Sequence, residues 1–277
     1  MTAGFEPLPD DLAEALAAEA QALGSFARLH YASEIDSTND SALQLALAGE
    51  PEGTGVLADA QRAGRGRRGR SWHSPPGSGV YLSLVVHPPQ RGETMSMLTL
   101  AAGVAVATAV RTTTALPVEL KWPNDIVIGW PWRKIGGLLS EAASSGSRLV
   151  GVVIGIGINQ SRASYPRELI GRASDIESEL GRPVDRAPLV VELLRQMRAI
   201  MGRLRAGDHD AICGEWRVLG ATGLSGRAVR WRDGEVERRG RAVDIAADGA
   251  LLIDAGAGRL ERVVAGEVTW ESVTREQ

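Results

Sequence analysis

Between Gln61 and Trp72 the chain reads Gln-Arg-Ala-Gly-Arg-Gly-Arg-Arg-Gly-Arg-Ser-Trp, with arginines set among glycines and no carboxylate between them. Glycine admits positive φ and lets backbone N–H groups converge, while arginine adds a rigid fork of donors matched to phosphate or carboxylate. The stretch is therefore suited to holding an anion. Two nucleotide motifs are nearly met there, and both fail. Gly64, Gly66 and Gly69 satisfy G-x-G-x-x-G, but the intervening arginines would crowd a turn that must face a pyrophosphate. Gly64 to Ser71 approaches the phosphate-loop pattern with Arg70 in place of lysine, and Ser74-Pro75-Pro76-Gly77 forbids the helix that must follow. On this stretch alone, a solvated basic loop or an Arg-Gly nucleic-acid tract remains an alternative.

Two further stretches carry polar groups at chemically useful spacing. Ser37, Thr38 and Asn39 stand together before the apolar-periodic run Ala42 to Ala48. Small polar residues there cap a helix, and the same N-terminus is also a site for an anion or a polar ligand head. Later, Lys121-Trp-Pro-Asn-Asp125 is followed by Lys134-Ile-Gly-Gly137. Pro123, Asn124 and Asp125 make a turn after a strand ending at Lys121, and Lys134 opens the next strand. Alone, Lys134 reads as an exposed edge charge. The paired glycines Gly136 and Gly137 inside that strand imply that something approaches the backbone closely.

The elements that must position these groups are legible in outline. Asp10 to Leu23 is an alanine-rich helix with aspartates at its start. Val56 to Ala60 is a short strand delivering the arginine loop. Val80 to His87 alternates with Val80, Leu82, Leu84 and Val86 on one apolar face. Met95 to Val110 is a buried helix, too short and too dotted with Gly and Thr to span a bilayer. Lys134 to Ala143 and Arg148 to Asn159 are strands joined by a hairpin at Ser144 to Ser147. Residues 186–219 are helical, with Leu189, Leu193, Met197 and Leu204 along one side. Beyond Gly223 the pattern changes to short strands, Arg227 to Trp231, Arg241 to Ile245, Ala250 to Asp254 and Val263 to Trp270, a spacing that suits a small β-barrel. The expected fold is α+β: a mixed, largely antiparallel sheet packed with helices over residues 1–219, then a small barrel over 220–277.

Composition narrows the function. The 277 residues, 44% hydrophobic, suffice for one large core and a small second domain. A net charge of −3 and a pI near 5.9 give no global attraction to nucleic acid, so the basic run is a local device. The single cysteine, Cys213, excludes an intrachain disulfide framework and any cysteine-based zinc cluster, and it suits a reducing cytoplasm. Asp10, Asp11, Glu14 and Glu19 near the start are unlike a signal peptide. Four scattered histidines form no metal triad or catalytic dyad, and His87 at a strand end reads as a surface residue. The arginines from Arg227 to Arg241 alternate with Asp233, Glu235 and Glu237, a solvated face by default.

The succession Asp36-Ser-Thr-Asn39, Gln61 with Gly64 to Arg70 and Trp72, Lys121-Trp-Pro-Asn-Asp125, Lys134-Ile-Gly-Gly137 and Gly155-Ile-Gly-Ile-Asn159 resembles biotin protein ligase, the biotin–[acetyl-CoA-carboxylase] ligase family. A weaker likeness continues into Ala265-Gly-Glu-Val268. The resemblance implies a class II synthetase-like, biotin/lipoate ligase-like catalytic domain and an SH3-like C-terminal barrel. It implies biotin and ATP as substrates, Mg²⁺ bridging phosphates with ligands unassigned, and the biotin carboxyl carrier domain of an acyl-CoA carboxylase as protein partner. The residues before Ile35 leave no room for a separate helix-turn-helix domain, so the expectation is the monofunctional type, without DNA or membrane binding, a monomer or weak homodimer. By matched motif, Lys134 and Arg67 carry the main electrostatic roles. Ser37, Thr38, Asn39, Gln61, Arg65, Gly66, Arg67, Lys134 and Gly136 hold biotin, while Gly64, Arg70, Trp72, Lys121, Asn124 and Asn159 serve the nucleotide or adenylate. The resemblance also implies that Gly64 to Arg70 and the link Ser161 to Ala173 order over bound ligand. A lipoate-type ligase and an Arg-Gly nucleic-acid binder are the alternatives.

Overall fold

The computed structural model describes residues 4–87, 95–146, 148–256, 258–264 and 266–271. Ser147 of the expected hairpin and Ala265 of the C-terminal motif lie outside them. Helix α1 (Asp10–Leu23) carries Asp10 and Asp11 in its first turn, facing the positive end of the backbone dipole, and buries Leu12, Leu16 and Leu23. Strand β1 (Leu29–Ile35) then runs parallel to β2 (Gly55–Gln61), with α2 (Thr38–Leu47) as the crossover. Ser37 caps α2 by accepting a hydrogen bond from the Asp40 amide.

The sheet is completed by β3 (Gly79–Val86), the hairpin strands β4 (Glu119–Lys121) and β5 (Asp125–Ile128), β6 (Arg133–Ser145) and β7 (Arg148–Asn159). The strand order is β1-β2-β3-β7-β6-β5-β4, and every neighbouring pair after the first is antiparallel. This is a mixed, largely antiparallel sheet, as expected, although its parallel first strand β1 has no counterpart in the sequence reading.

Strand parity divides the sheet into two differently used faces. Val80, Leu82, Leu84 and Val86 of β3 and Ile154, Ile156 and Ile158 of β7 enter the main core, with α1, α3 (Met95–Thr114) and α5 (Arg186–Arg205) packed on them. The opposite parity leaves only a small cluster beneath α2, made by Ala42, Ala46, Val56, Ala58, Val85 and Val153. The rest of that second face is free for ligand.

Several element boundaries differ from the sequence reading, three of them for a plain local reason. Helix α3 runs on past Val110 because Thr113 and Thr114 return their hydroxyls to the carbonyls of Ala109 and Val110, so the threonine run does not end it. Among the described residues it is the one helix long and apolar enough to cross a membrane, and its apolar surface is largely buried inside the fold. Residues 186–219 form two helices, α5 and α6 (His209–Leu219), because Gly207 at φ 75° turns the chain between them. Val263 to Trp270 is split into β11 (Leu260–Val263) and β12 (Val268–Trp270), with Gly266 at φ 126° in the connection.

The short helices α4 (Ile176–Leu180) and α7 (Ala221–Leu224) complete the helical elements. Strands β8 (Arg227–Asp233), β9 (Val236–Ile245) and β10 (Leu251–Asp254) join the last two in an antiparallel sheet of order β11-β10-β9-β8-β12. Among the described residues no pairing closes β11 onto β12. The two sheets share one hydrophobic cluster, in which Ile245 and Leu251 meet Cys213, Trp216 and α3. Trp122, 2% exposed, crosses from the β4–β5 turn to donate its indole N–H to the carbonyl of Gly249 at 3.0 Å. Trp122→Phe keeps the aromatic volume approximately but leaves that buried carbonyl without its donor. The expected loss is about 1–3 kcal/mol of unfolding free energy, read by urea denaturation. An unchanged midpoint would show that the bond does not tie the sheets together.

Candidate active site

Beside α2, on the second face of the large sheet, lies a cavity of about 830 Å³. Its lining contains Ser37, Thr38 and Asn39, Gln61, Arg65, Gly66, Arg67, Arg70 and Trp72, Lys121 and Asn124, Lys134 and Asn159. Residues from separate motifs are thus gathered in one place. Two expected members are not on its wall. Gly136 pairs opposite Ile158 and so points to the core side, where a Cβ would meet the carbonyl of Gly157 at 2.9 Å and Ile126 at 3.5 Å. Gly64 is shut inside the arginine loop, with Trp72 O 2.5 Å and Ser74 Oγ 2.8 Å from where its Cβ would be.

Part of the floor is made where glycines of β6 and β7 leave this face without side chains. Gly137 pairs opposite Gly157, so both present the same face, and Gly155 lies two residues before Gly157 on β7. A Cβ at Gly157 would reach 2.6 Å from the Trp72 ring, and one at Gly155 would overlap the Asn39 amide. The glycines admit both side chains, and Trp72 lies flat enough over β7 for the Lys134 ammonium to sit 5.2 Å from its ring centroid.

At one end the polar groups satisfy one another. Thr38 donates its amide and hydroxyl to Gln61 Oε1 at 2.9 and 3.1 Å, and Gln61 Nε2 donates to Ser74. Ser83 Oγ lies 2.8 Å from Thr38 Oγ1 and 2.6 Å from Asn39 Oδ1. Asn39 Nδ2 donates to Glu141, which also accepts both N–H groups of the Arg65 fork. With Asp40 at 2.7 Å as a second partner, the Arg65 charge is neutralised by protein. Its arrangement braces the loop against α2 and β6.

At the other end the charges are treated differently. Lys134 Nζ is 2.5 Å from Asp125. Arg70 is 2.5 Å from Glu267, with Arg68 3.5 Å from the same carboxylate, so the arginine loop is fastened to the connection before β12. Arg70 also pulls the Glu267 carboxyl below its ordinary range. Arg67, by contrast, donates to Asn124 Oδ1 at 2.9 Å and to the Gly266 carbonyl at 3.3 Å. Asn124 in turn donates to Leu138 O, so its side chain aims Arg67. Among the described residues no carboxylate lies within ion-pair distance of Arg67, Lys121 or Arg172. Burial pushes the Arg67 guanidinium down against the pull of Asp125. Burial also pushes the Lys121 ammonium down, helped by Lys134 and Arg172 and opposed by Asp125 and Glu267.

The 161–173 segment closes this end. Its Arg172 carbonyl accepts the Lys134 amide, and Asn159 Nδ2 donates to Ser174 O at 2.9 Å and Lys134 O at 3.3 Å. Asn159 therefore fixes the strand that carries the lysine. Tyr165 donates to buried Asp175 at 3.0 Å, while Arg162 stacks on its ring, 4.5 Å from the centroid. Burial and that bond push the Tyr165 hydroxyl up to about 12.

Several contributors lay beyond sequence reasoning. Asp125 reads as a turn residue, Glu267 only as part of the C-terminal motif and Glu141 not at all, and nothing in spacing joins them to Lys134, Arg70 or Arg65. Gly155 and Gly157 had a signal, two glycines on one parity of an apolar strand. Trp130, Trp132 and Trp270 had none, because their meeting depends on how the second sheet docks.

Residues 31–159 match the biotin/lipoate A/B protein ligase family and residues 224–269 match the biotin protein ligase C-terminal domain, so the positive, glycine-floored cleft lies in a chain of the biotin/lipoate protein ligase class. The chain is 39% identical over 168 residues to the bifunctional ligase/repressor BirA of Bacillus spizizenii, an alignment covering 60% of this chain and 51%, about half, of that relative. It is 32% identical over 248 residues to the biotin–[acetyl-CoA-carboxylase] ligase of Mycobacterium tuberculosis, covering 87% of this chain and 88% of that one. The solved Aquifex aeolicus biotin protein ligase in complex with biotin and ATP superposes with a TM-score of 0.76 at 28% identity, covering 88% of this chain and 99% of that chain. The chain belongs to the biotin protein ligase family.

Two outcomes follow from the geometry. Glu267→Gln removes the charge that fastens Arg68 and Arg70, and tryptic cleavage in the arginine loop is expected to quicken several-fold while thermal unfolding changes little, as for other exposed ion pairs. Equal cleavage rates would remove Glu267 as the fastening. Gly157→Ala is expected to displace Trp72 and cost about 1–3 kcal/mol from overpacking. An unshifted tryptophan emission spectrum with full stability would contradict the close approach.

Proposed function

We propose that this protein condenses biotin with ATP to form biotinyl-5′-AMP and pyrophosphate, then transfers the biotinyl group to a lysine of a biotin carboxyl carrier domain. The observation that carries the reading is the set of cations, Arg67, Lys121 and Arg172, lining the cavity without carboxylate partners among the described residues. Arg67 and Lys121 are half-buried, and leaving such cations unpaired is costly unless an anion completes the site, while exposed Arg172 adds its charge to the lining.

In the first step a biotin carboxylate oxygen attacks the α-phosphorus, the bond to the bridging oxygen breaks, and pyrophosphate leaves with that electron pair. Two anions must be brought together, so the demand is for preorganised positive charge. Lys134, held 2.5 Å from Asp125 and lying over Trp72, is assigned to the carboxylate and α-phosphate. Arg67, aimed by Asn124, is assigned to charge that develops during transfer. Lys121 faces the leaving phosphates. In the second step the acceptor ε-amine attacks the carbonyl of the mixed anhydride, the C–N bond forms, AMP leaves and the amine sheds a proton.

The polar end, Ser37, Thr38, Asn39 and Gln61, is assigned to the ureido head, exchanging some of its internal hydrogen bonds for bonds to ligand. Gly66 and Arg65 border the tail, with Arg65 acting through Asp40 and Glu141 as a brace. The side-chainless wall assigned to biotin is moved from Gly136 to Gly137, which faces the cavity. Trp72 covers the adenylate.

The donor set does not fit a resident Mg²⁺. Among the described residues no three His, Cys, Asp or Glu side chains cluster, and Asp125, Glu141 and Glu267 are each engaged by a cation. A Mg²⁺ would instead arrive with ATP as part of the substrate, where a small hard cation would offset phosphate charge. The C-terminal sheet is assigned to an SH3-like barrel beginning near residue 220, and the buried lone Cys213 suits a reducing cytoplasm.

The test is mass spectrometry of a biotin carboxyl carrier domain incubated with the protein, biotin, ATP and Mg²⁺. A biotin-sized increment is expected with the parent, and Lys134→Ala should slow it by about 10²- to 10³-fold. An increment that lipoate supports and biotin does not would overturn the substrate assignment. An increment unaffected by Lys134→Ala would overturn the role of that lysine.

A further inference from the structure

The β5–β6 turn carries Trp130 and Trp132, and β12 carries Trp270. Trp132 stands edge-on to both, with ring centroids 5.1 Å from Trp130 and 5.4 Å from Trp270. Gly223 of α7 leaves the space they fill, since a Cβ there would come 3.1 Å from Trp132 and 3.2 Å from Trp270. On the outer side the Arg227 guanidinium lies over Trp130 at 3.5 Å. On the inner side the Lys121 ammonium lies over Trp132, 5.7 Å from the ring centroid and within the range of a cation–π contact.

The Trp132 indole N–H is buried without an acceptor. Within the protein this ring therefore makes no hydrogen bond. What it offers is its face, and that face lies under a lysine with no carboxylate in ion-pair distance among the described residues, because the nearby Asp125 is held by Lys134. We propose that Trp132, braced by Trp270 from the C-terminal sheet, is a positioning residue that holds the Lys121 ammonium charged and aimed into the cavity without spending a carboxylate on it. A carboxylate in that place would compete with phosphate for the lysine. A ring face attracts the cation and leaves its N–H donors free for an anion.

The inference rests on reading the cavity as a nucleotide phosphate site, and it names a route by which the second sheet acts on that site. The charged groups facing Lys121 are Asp125 from β5, Lys134 from β6, Arg172 from the 161–173 segment and Glu267 from the connection before β12. Burial already opposes the ammonium, so losing the ring face should lower its titration further.

The experiment combines calorimetry and NMR on the full chain and on Trp132→Phe and Trp132→Leu. Inorganic pyrophosphate is expected to bind about fivefold or more weakly to Trp132→Leu and about twofold more weakly to Trp132→Phe, following the order of ring strength. Adenosine binding should stay within about twofold. The ¹³Cε resonance of Lys121 should titrate at progressively lower pH in the same order. Loss of adenosine binding with pyrophosphate unchanged would make the ring a base platform and overturn the proposal. An unmoved Lys121 titration would overturn it as well. Should neither pyrophosphate nor ATP bind the parent, the ligase reading fails and the Lys121 titration alone decides. Should Trp132→Leu not fold, Trp132→Phe carries both measurements, and no change in either sinks the idea.

Discussion

The rest of this structure depends on keeping positive charge unpaired and still inside a protein whose net charge is −3. A half-buried cation without a partner is held at a cost, and a mobile one does little for catalysis. Here the problem is solved by sorting the basic residues. Arg65 and Arg70 are held by Glu141 and Glu267, so that the loop they belong to is fixed at both ends. Arg67, between them, is then held by neutral acceptors, Asn124 and the Gly266 carbonyl, which orient it without cancelling its charge. The paired arginines serve the unpaired one.

The same logic explains the glycine floor. Gly137, Gly155 and Gly157 lie on one face of β6 and β7, and the space they leave is taken by Trp72 and Asn39. Trp72 thereby borders the cavity while its ring lies under the Lys134 ammonium. Isoleucines of opposite parity on β7 anchor the floor to the main core, so the site rests on closely packed strands.

The C-terminal sheet belongs to this arrangement. It shares the main core, receives the Trp122 indole, and sends Gly266, Glu267 and Trp270 to the cavity rim. Its arginines are mostly met by its own acids, Arg238 by Asp233 and Glu261 and Arg230 by Glu237 and Glu271, as alternating charge on a solvated face implies. Its contribution to the site comes through the connection between β11 and β12 and through β12 itself, where Trp270 meets Trp132.

Sequence by itself determined the local facts: the span of α1, the Ser37 cap, the parity of β3, and the residue types from Ser37 to Asn159 that gather around one cavity. These are set by near neighbours along the chain, through capping, alternation and turn chemistry, and they hold before any long-range contact forms. Only the tertiary structure decided which charge stays free. Arg65 and Arg67 are two residues apart and alike in the sequence, yet one is consumed by Asp40 and Glu141 and the other is not. Gly136 and Gly137 are adjacent, yet register against Gly157 puts just the second on the wall. The Trp130, Trp132 and Trp270 cluster joins positions far apart in the chain, and its members could not be paired by period or motif. Pairing and strand facing are fixed by contacts between distant segments, whose partners no local pattern encodes.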